Sequence, residues 1–258
     1  QAQRERRAGL NTAGFISGYQ GSPLGGVDIQ ATRIKDILRE AGVIHLQGLN
    51  EIHAANAVWG TQQVPHIKNA RYDGIFAMWY GKGPGFDLAS DAINHANDAG
   101  VSPKGGIVWV VGDDHEAKSS TRRYQTEWLF RHLDMPFLAP NSVQEIHDYM
   151  LFGWALSRFC GAGVGIKVTS DICDASASIL IDSLAEIAIP ELKNIPHLHL
   201  DPADKPIDTE KKRMDRLAYA CMFANANHLN IFAHEAKDIR FVIVAVGRSY
   251  VEVMEALT

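Results

Sequence analysis

Ile75-Phe-Ala-Met-Trp79 is an unbroken apolar run. Beyond it Leu88, Ala92, Ile93 and Ala96 share one helical face that stops near Gly100, Pro103 and Gly105-Gly106 break the chain, and Ile107-Val-Trp-Val-Val111 is apolar again. A run this short, with no polar alternation, suits a strand buried on both faces, and an amphipathic helix between two such runs is the crossover of a parallel sheet. Working outward, residues 13–17, 164–168 and 241–246 read as further strands of the same kind. Val143, Ile146, Met150, Leu151, Trp154 and Ala155 form a second amphipathic face, opened by the capping box Ser142-x-x-Glu145. Strand and helix in alternation predict an α/β fold with a mostly parallel sheet flanked by helices.

The closely spaced Pro190, Pro196, Pro202 and Pro206 mark a change of texture. The expected organisation is one α/β domain over residues 1–188, a linker with a charged helix over 189–238, and the start of a second α/β domain over 239–258. In that last part the strand 241–246 runs into Gly247-Arg248-Ser249, and Ser249-x-x-Glu252 is expected to cap a new helix. The chain starts Gln-Ala-Gln-Arg without a Met and stops in a helix-like run, which reads as part of something longer.

Composition narrows the function classes. The 258 residues are 46% hydrophobic and 21% charged, with a formal net charge of −5, an ordinary globular balance with no basic excess for a nucleic-acid backbone. Apolar runs are far shorter than the ~20 residues of a membrane span, so neither nucleic acid nor membrane is an expected partner. Cys160, Cys173 and Cys221 form no C-x-x-C pair and suit reduced thiols in a cytoplasmic protein. The Walker loop, G-x-S-x-G, G-x-G-x-x-G and H-E-x-x-H are all missing.

In open α/β sheets ligands sit beyond the carboxyl ends of the strands, so the loops there hold the candidates. The first is Gly18-Tyr-Gln-Gly-Ser-Pro-Leu-Gly-Gly26, where Gly21 allows close backbone approach and Ser22 offers a donor to an anionic group; it also reads as a turn-rich connection. The second is Glu51, at the head of an alanine-rich helix, either a catalytic carboxylate or a first-turn partner of the helix dipole. The third is Gly81-Lys82-Gly83-Pro-Gly85. The fourth is Gly112-Asp113-Asp114-His115-Glu116 followed by Lys118-Ser-Ser120, where two carboxylates and an imidazole would line a cleft, shuttle protons or bind metal, or where the aspartates would only cap a turn.

Together with Leu49-Asn-Glu51, His95-Ala-Asn97, Pro103-Lys-Gly-Gly106, Ser119-Ser-Thr121 and Gly153-Trp-Ala-Leu-Ser-Arg158, these loops resemble the long, fused form of indolepyruvate ferredoxin oxidoreductase. That family is a branch of the thiamine-diphosphate-dependent 2-oxoacid:ferredoxin oxidoreductases. The resemblance implies a pyrimidine-binding domain of flavodoxin-like, thiamine-diphosphate-binding fold, with Val246-Gly-Arg-Ser-Tyr-Val251 similar to the start of the family's next domain. It implies that Glu51 hydrogen-bonds the cofactor's aminopyrimidine and stabilises its imino tautomer, that Gly21 and Ser22 lie where cofactor and 2-oxoacid are approached, and that Lys82 and Gly83 line the cofactor-facing loop. Asp113, Asp114 and His115 become cleft residues, and Arg122 matches a substrate-binding arginine of the related pyruvate oxidoreductases.

Gly112-Asp113-Asp114 with Asn141 mimics the magnesium and diphosphate motif of such enzymes, but Asp114 stands where that motif needs a glycine. The Mg2+, diphosphate, iron–sulfur and coenzyme A sites are therefore expected on other domains or a partner chain, leaving this segment alone inactive and metal-free. Ferredoxin as acceptor and a homodimer follow from the same resemblance. Two alternatives stay open: a non-catalytic α/β binding or assembly module, and a metal-dependent hydrolase built on Asp113, Asp114 and His115.

Overall fold

The computed structural model describes residues 1–117, 122–181, 186–192 and 197–258. Lys118-Ser-Ser120, Ser119-Ser-Thr121 and Pro196 lie outside the described residues.

In chain order the elements are α1 (Ala2–Arg7), β1 (Thr12–Gly18), α2 (Gly25–Arg33), α3 (Lys35–Glu40), β2 (Val43–Gln47), α4 (Glu51–Gly60), β3 (Gly74–Lys82), α5 (Gly83–Leu88), α6 (Ser90–Ala99) and β4 (Ile107–Asp113). The second half adds α7 (Glu127–His132), β5 (Phe137–Leu138), α8 (Val143–Cys160), β6 (Val164–Thr169), α9 (Ser170–Cys173), α10 (Pro206–Ala226) and α11 (Arg248–Ala256). The six strands form one sheet in the order β2-β1-β3-β4-β6-β5, every pair parallel. The expected parallel α/β class is what the structure shows.

Helices cover both faces. On one side Ala54, Val58, Trp79, Phe86, Ile93, Trp109 and Phe130 form a core beneath α4, α5 and α6. On the other, Phe76, Tyr80, Val108, Val110, Phe152, Leu156, Val164 and Ile166 pack with α8 and with Ala220 and Phe223 of α10. Burial on both faces is why β4 carries no polar alternation, and each large side chain so buried contributes about 1.5–3 kcal/mol. The segment after residue 188 thus sends a helix back onto the sheet domain.

Two local expectations are corrected. Residues 241–246 form no strand, and Phe241 and Val244 are exposed, because a strand exists only through neighbours and no described segment pairs with this run. Ser249 does not cap α11. Gly247 is the N-cap, at φ 59°, a left-handed conformation that suits glycine. The capping box at Ser142 forms in modified shape: its hydroxyl accepts from the Glu145 N–H at 3.2 Å, while Glu145 reaches back to the N–H of Asn141 at 2.7 Å.

Candidate functional site

Strand order reverses between β1 and β3: β1 connects outward to β2 on one side, and β2 returns across it to β3 on the other. Parallel strands splay their connections apart at such a point and leave a crevice beyond their carboxyl ends. The expected loop Gly81–Gly85 is not a loop, since β3 ends at Lys82 and α5 begins at Gly83. The loop after β1, the head of α4 and this strand-to-helix junction all open at the crevice, so the topology brings together Gly21, Ser22, Glu51, Lys82 and Gly83.

Glu51 is the first residue of α4 and is 9% exposed. Asn50 caps the helix, its side chain accepting from the His53 N–H at 2.8 Å, and the Trp79 indole donates to the Glu51 carbonyl at 3.2 Å. The backbone that carries the carboxylate is therefore tied to the middle of the sheet. Trp79 is fully buried and held by edge contacts with Phe86, centroids 5.7 Å apart, and a tilted contact with Trp109 at 6.3 Å.

The side chain of Glu51 lies against Gly85. A Cβ added to Gly85 would meet Glu51 Cγ and Oε1 at 2.6 Å, closer than any real contact, so the glycine leaves the space the carboxylate occupies. On the same face Ser17 is buried, with a hydroxyl that has no hydrogen-bond partner among the described residues. It follows Phe15 by two residues, and Phe15 packs against the core containing Ala54 and Trp79, so strand alternation turns Ser17 toward the α4 side. We expect Gly85→Ala to leave the fold intact, because only a side chain must move, yet to lower any activity that depends on Glu51 by at least about tenfold, as an ångström of misplacement does. Circular dichroism with steady-state kinetics checks this, and wild-type activity would refute it.

The other candidates divide into two groups. Lys82 lays its alkyl chain along Gly21, whose added Cβ would meet it at 3.2 Å, and Pro23 packs over Gly112, so the loop after β1 is seated on the ends of β3 and β4. Asp113 is fully buried. It accepts from both the N–H and the hydroxyl of Thr126, and Lys167 lies 3.6 Å away. Burial pushes its carboxyl above the usual range, and the Thr126 hydrogen bonds oppose this. Asp114 is buried and accepts from Ser170 at 3.2 Å. Both aspartates join β4 to the elements around β6. His115 and Arg122 are exposed and line an open cavity of about 500 Å3 with Glu116 and Arg123.

Among the described residues no group of three or more His, Cys, Asp or Glu side chains is placed to hold a metal ion. The hydrolase alternative therefore has no ligand set there. Asn141, which mimics part of a magnesium motif, spends its amide on Glu145 at 3.2 Å.

Sequence reasoning passes over two residues beside these loops. Tyr124 packs on Gly83 and hydrogen-bonds Asp87; burial first, then Asp87 and Asp113, push its phenol up, while Arg122 opposes them. Tyr80, inside β3, reads as core. Neither sits in a motif, and only the fold brings them to the site.

Among the described residues no helix is long and apolar enough to cross a membrane. No family model matches the chain. Among curated proteins it is similar to "Indolepyruvate oxidoreductase subunit IorA" of Archaeoglobus fulgidus, 28% identical over 189 residues, covering 70% of this chain and 29% of the relative. The subunit of the same name from Pyrococcus abyssi is 25% identical over 195 residues, 73% of this chain and 30% of the relative. That of Methanothermobacter thermautotrophicus is 22% identical over 251 residues, 97% of this chain and 38% of the relative. Among solved structures, a thiamine diphosphate-dependent 4-hydroxybenzoylformate decarboxylase of Rhodococcus jostii aligns with a TM-score of 0.48 at 13% identity, covering 71% of this chain and 31% of that one. The chain thus spans only 29% to 38% of the length of these curated proteins, and its sequence is similar to part of the IorA subunits of indolepyruvate oxidoreductases.

Proposed function

We propose that this chain is the cofactor-activating, pyrimidine-binding domain of a thiamine-diphosphate-dependent 2-oxoacid:ferredoxin oxidoreductase of the indolepyruvate or aryl-pyruvate type. One observation carries the reading: Glu51 is a buried carboxylate at the strand-order switch, with its backbone anchored by Trp79 and its side chain housed against Gly85. The residues fit an aminopyrimidine. Glu51 supplies a carboxyl to share a proton with a ring nitrogen, the Ser17 hydroxyl, without a partner among the described residues, lies on the same side, and Trp79 and Phe86 give an apolar floor.

When bound, thiamine diphosphate supplies the nucleophilic carbon for the 2-oxo group and holds the electron pair left when carbon dioxide departs. The chain's own part is to hold a proton at Glu51, present the backbone of Gly21 and the hydroxyl of Ser22 to the anionic end of the substrate, and exclude water around Trp79. Lys82, Gly83, Asp113, Asp114 and His115 belong to the cofactor-facing wall in this reading, and Arg122 to the substrate side. In this reading coenzyme A would be the acyl acceptor and ferredoxin the electron acceptor, reached through iron–sulfur clusters. The clusters, Mg2+ and the diphosphate grip belong to other domains of the parent or a partner chain.

Leu49 is 82% exposed, and Ile52 and Leu88 are exposed as well, all beside the Glu51 helix. An apolar rim around a buried carboxylate suits closure by a diphosphate-binding domain, of the same chain or of a homodimer partner. The setting we assign is the cytoplasm, where the three thiols stay reduced.

The test is anaerobic turnover of the full-length parent with thiamine diphosphate, magnesium, coenzyme A and a viologen dye, offering indolepyruvate, phenylpyruvate and pyruvate in parallel. Dye reduction that needs both 2-oxoacid and coenzyme A is the expected result. No reduction with cofactor bound and clusters intact would overturn the proposal in favour of a non-catalytic module.

A further inference from the structure

Tyr80 is fully buried on β3, on the face opposite Glu51, and its hydroxyl joins three elements. It donates to Asp28 Oδ1 of α2 at 2.6 Å and lies 3.0 Å from His45 Nε2 of β2. A phenol has one proton, and the shorter contact to the carboxylate takes it, so His45 donates and must carry its proton on Nε2. The other carboxylate oxygen of Asp28 accepts from Gln47 at 3.2 Å. Tyr80 and Asp28, at its centre, are buried, His45 is half-buried and Gln47 closes it at the exposed edge. A buried polar pair with its hydrogen bonds made adds rigidity.

Its position gives this rigidity a target. The loop from Gly18 to Gly26 leaves β1 at Tyr80 and enters α2 three residues before Asp28. At the loop's entry the Tyr19 N–H donates to the Tyr80 carbonyl at 3.1 Å, and Gly18 lies so close to the Tyr80 ring that an added Cβ would meet it at 2.6 Å. At its exit the Tyr80 hydroxyl holds Asp28, in the first turn of α2. One residue therefore grips both ends of the loop.

We propose that Tyr80, acting through Asp28 and supported by His45 and Gln47, is a positioning residue that fixes the loop carrying Gly21 and Ser22, and so sets affinity for the anionic group approached by that loop. The identity of that group as a 2-oxoacid carboxylate rests on the function proposed above. The clamp itself rests on the hydrogen bonds.

Hydrogen exchange of the full-length parent, read by peptide mass spectrometry, separates the two. In Tyr80→Phe the ring stays and the hydroxyl goes, and in Asp28→Ala the acceptor goes. Both should speed exchange of residues 19–28 by about tenfold, the effect of one lost buried hydrogen bond, with β4 and β6 unchanged. Asp28→Asn keeps an acceptor for Tyr80, and Gln47 can turn its amide to match, so exchange should stay near wild type. In turnover, Tyr80→Phe should raise KM for the 2-oxoacid about tenfold and leave kcat within about threefold. Wild-type exchange and KM in both Tyr80→Phe and Asp28→Ala, or a rise in exchange spread evenly over the sheet, would overturn the proposal. A parent without 2-oxoacid turnover would remove the functional reading, and the exchange pattern would still decide the clamp.

Discussion

Glu51→Gln in the intact parent should lower kcat by at least about a hundredfold, within the roughly 10²–10⁴ range that a positioned proton-transfer group contributes. The substitution is nearly isosteric. It keeps the carbonyl that accepts from Trp79 and the Asn50 cap, so unfolding curves of wild type and variant should coincide. It removes only the ability to hold an ionisable proton at the head of α4. Because Gly85 acts by leaving room for the same carboxylate, Gly85→Ala should cost little more once Glu51 is replaced. Residues that act as one unit lose their effects together. Full activity of Glu51→Gln, or additive losses in the double variant, would separate Glu51 from the chemistry.

Burial decides how much of the fold is legible in the sequence. Residues 13–17, 107–111 and 164–168 lie inside β1, β4 and β6, and Ile75–Trp79 inside β3, because strands covered on both faces must be apolar throughout. The strand β2 escapes a reading by apolar runs: it is an edge strand with an exposed Ile44 and Leu46, and its His45 and Gln47 serve the Asp28 network. The strand β5 is only Phe137–Leu138, too short to leave a pattern. Residues 241–246 err the other way, since an apolar run gives the composition of a strand and cannot give its neighbours.

The site divides along the same line. Gly21, Ser22, Glu51, Lys82 and Gly83 are readable because they lie at or just beyond the ends of strands, and the strand order then sets them around one crevice. Tyr80, Asp28 and His45 are not readable, because Tyr80 and Asp28 are 52 positions apart and meet only when β3 lies beside β1. The hydrogen-bonding of Asp113 is equally hidden, since nothing in a Gly-Asp-Asp-His string tells that Thr126 will occupy its oxygens.

Arg216→Met should give the largest loss of stability. Arg216 is 1% exposed, and its guanidinium donates to the carbonyls of Leu198 at 2.9 Å, Asn97 at 2.6 Å, Asp98 at 3.0 Å and Ala99 at 3.3 Å. Asn97, Asp98 and Ala99 end α6, where a helix leaves carbonyls without partners, and Arg216 of α10 supplies the donors. Burial draws its guanidinium down to about 10, still charged at neutral pH, and Asp98 and Asp204 oppose the fall. Methionine fills similar volume but strands these carbonyls in the interior, a cost of about 3 kcal/mol or more, or roughly 6–12 °C in Tm for a chain of this size. Arg216→Lys keeps the charge without the fork that reaches several carbonyls at once, so it should recover only part of this. The way stability is lost also tests the organisation expected from the prolines. If residues 1–188 fold independently of the rest of the chain, the variant should release α10 and leave the melting of the sheet unchanged. Because Ala220 and Phe223 complete the core around Phe152 and Phe159, we expect one cooperative transition at lower temperature, which calorimetry checks; a separate early transition with the main one unmoved would show independent folding.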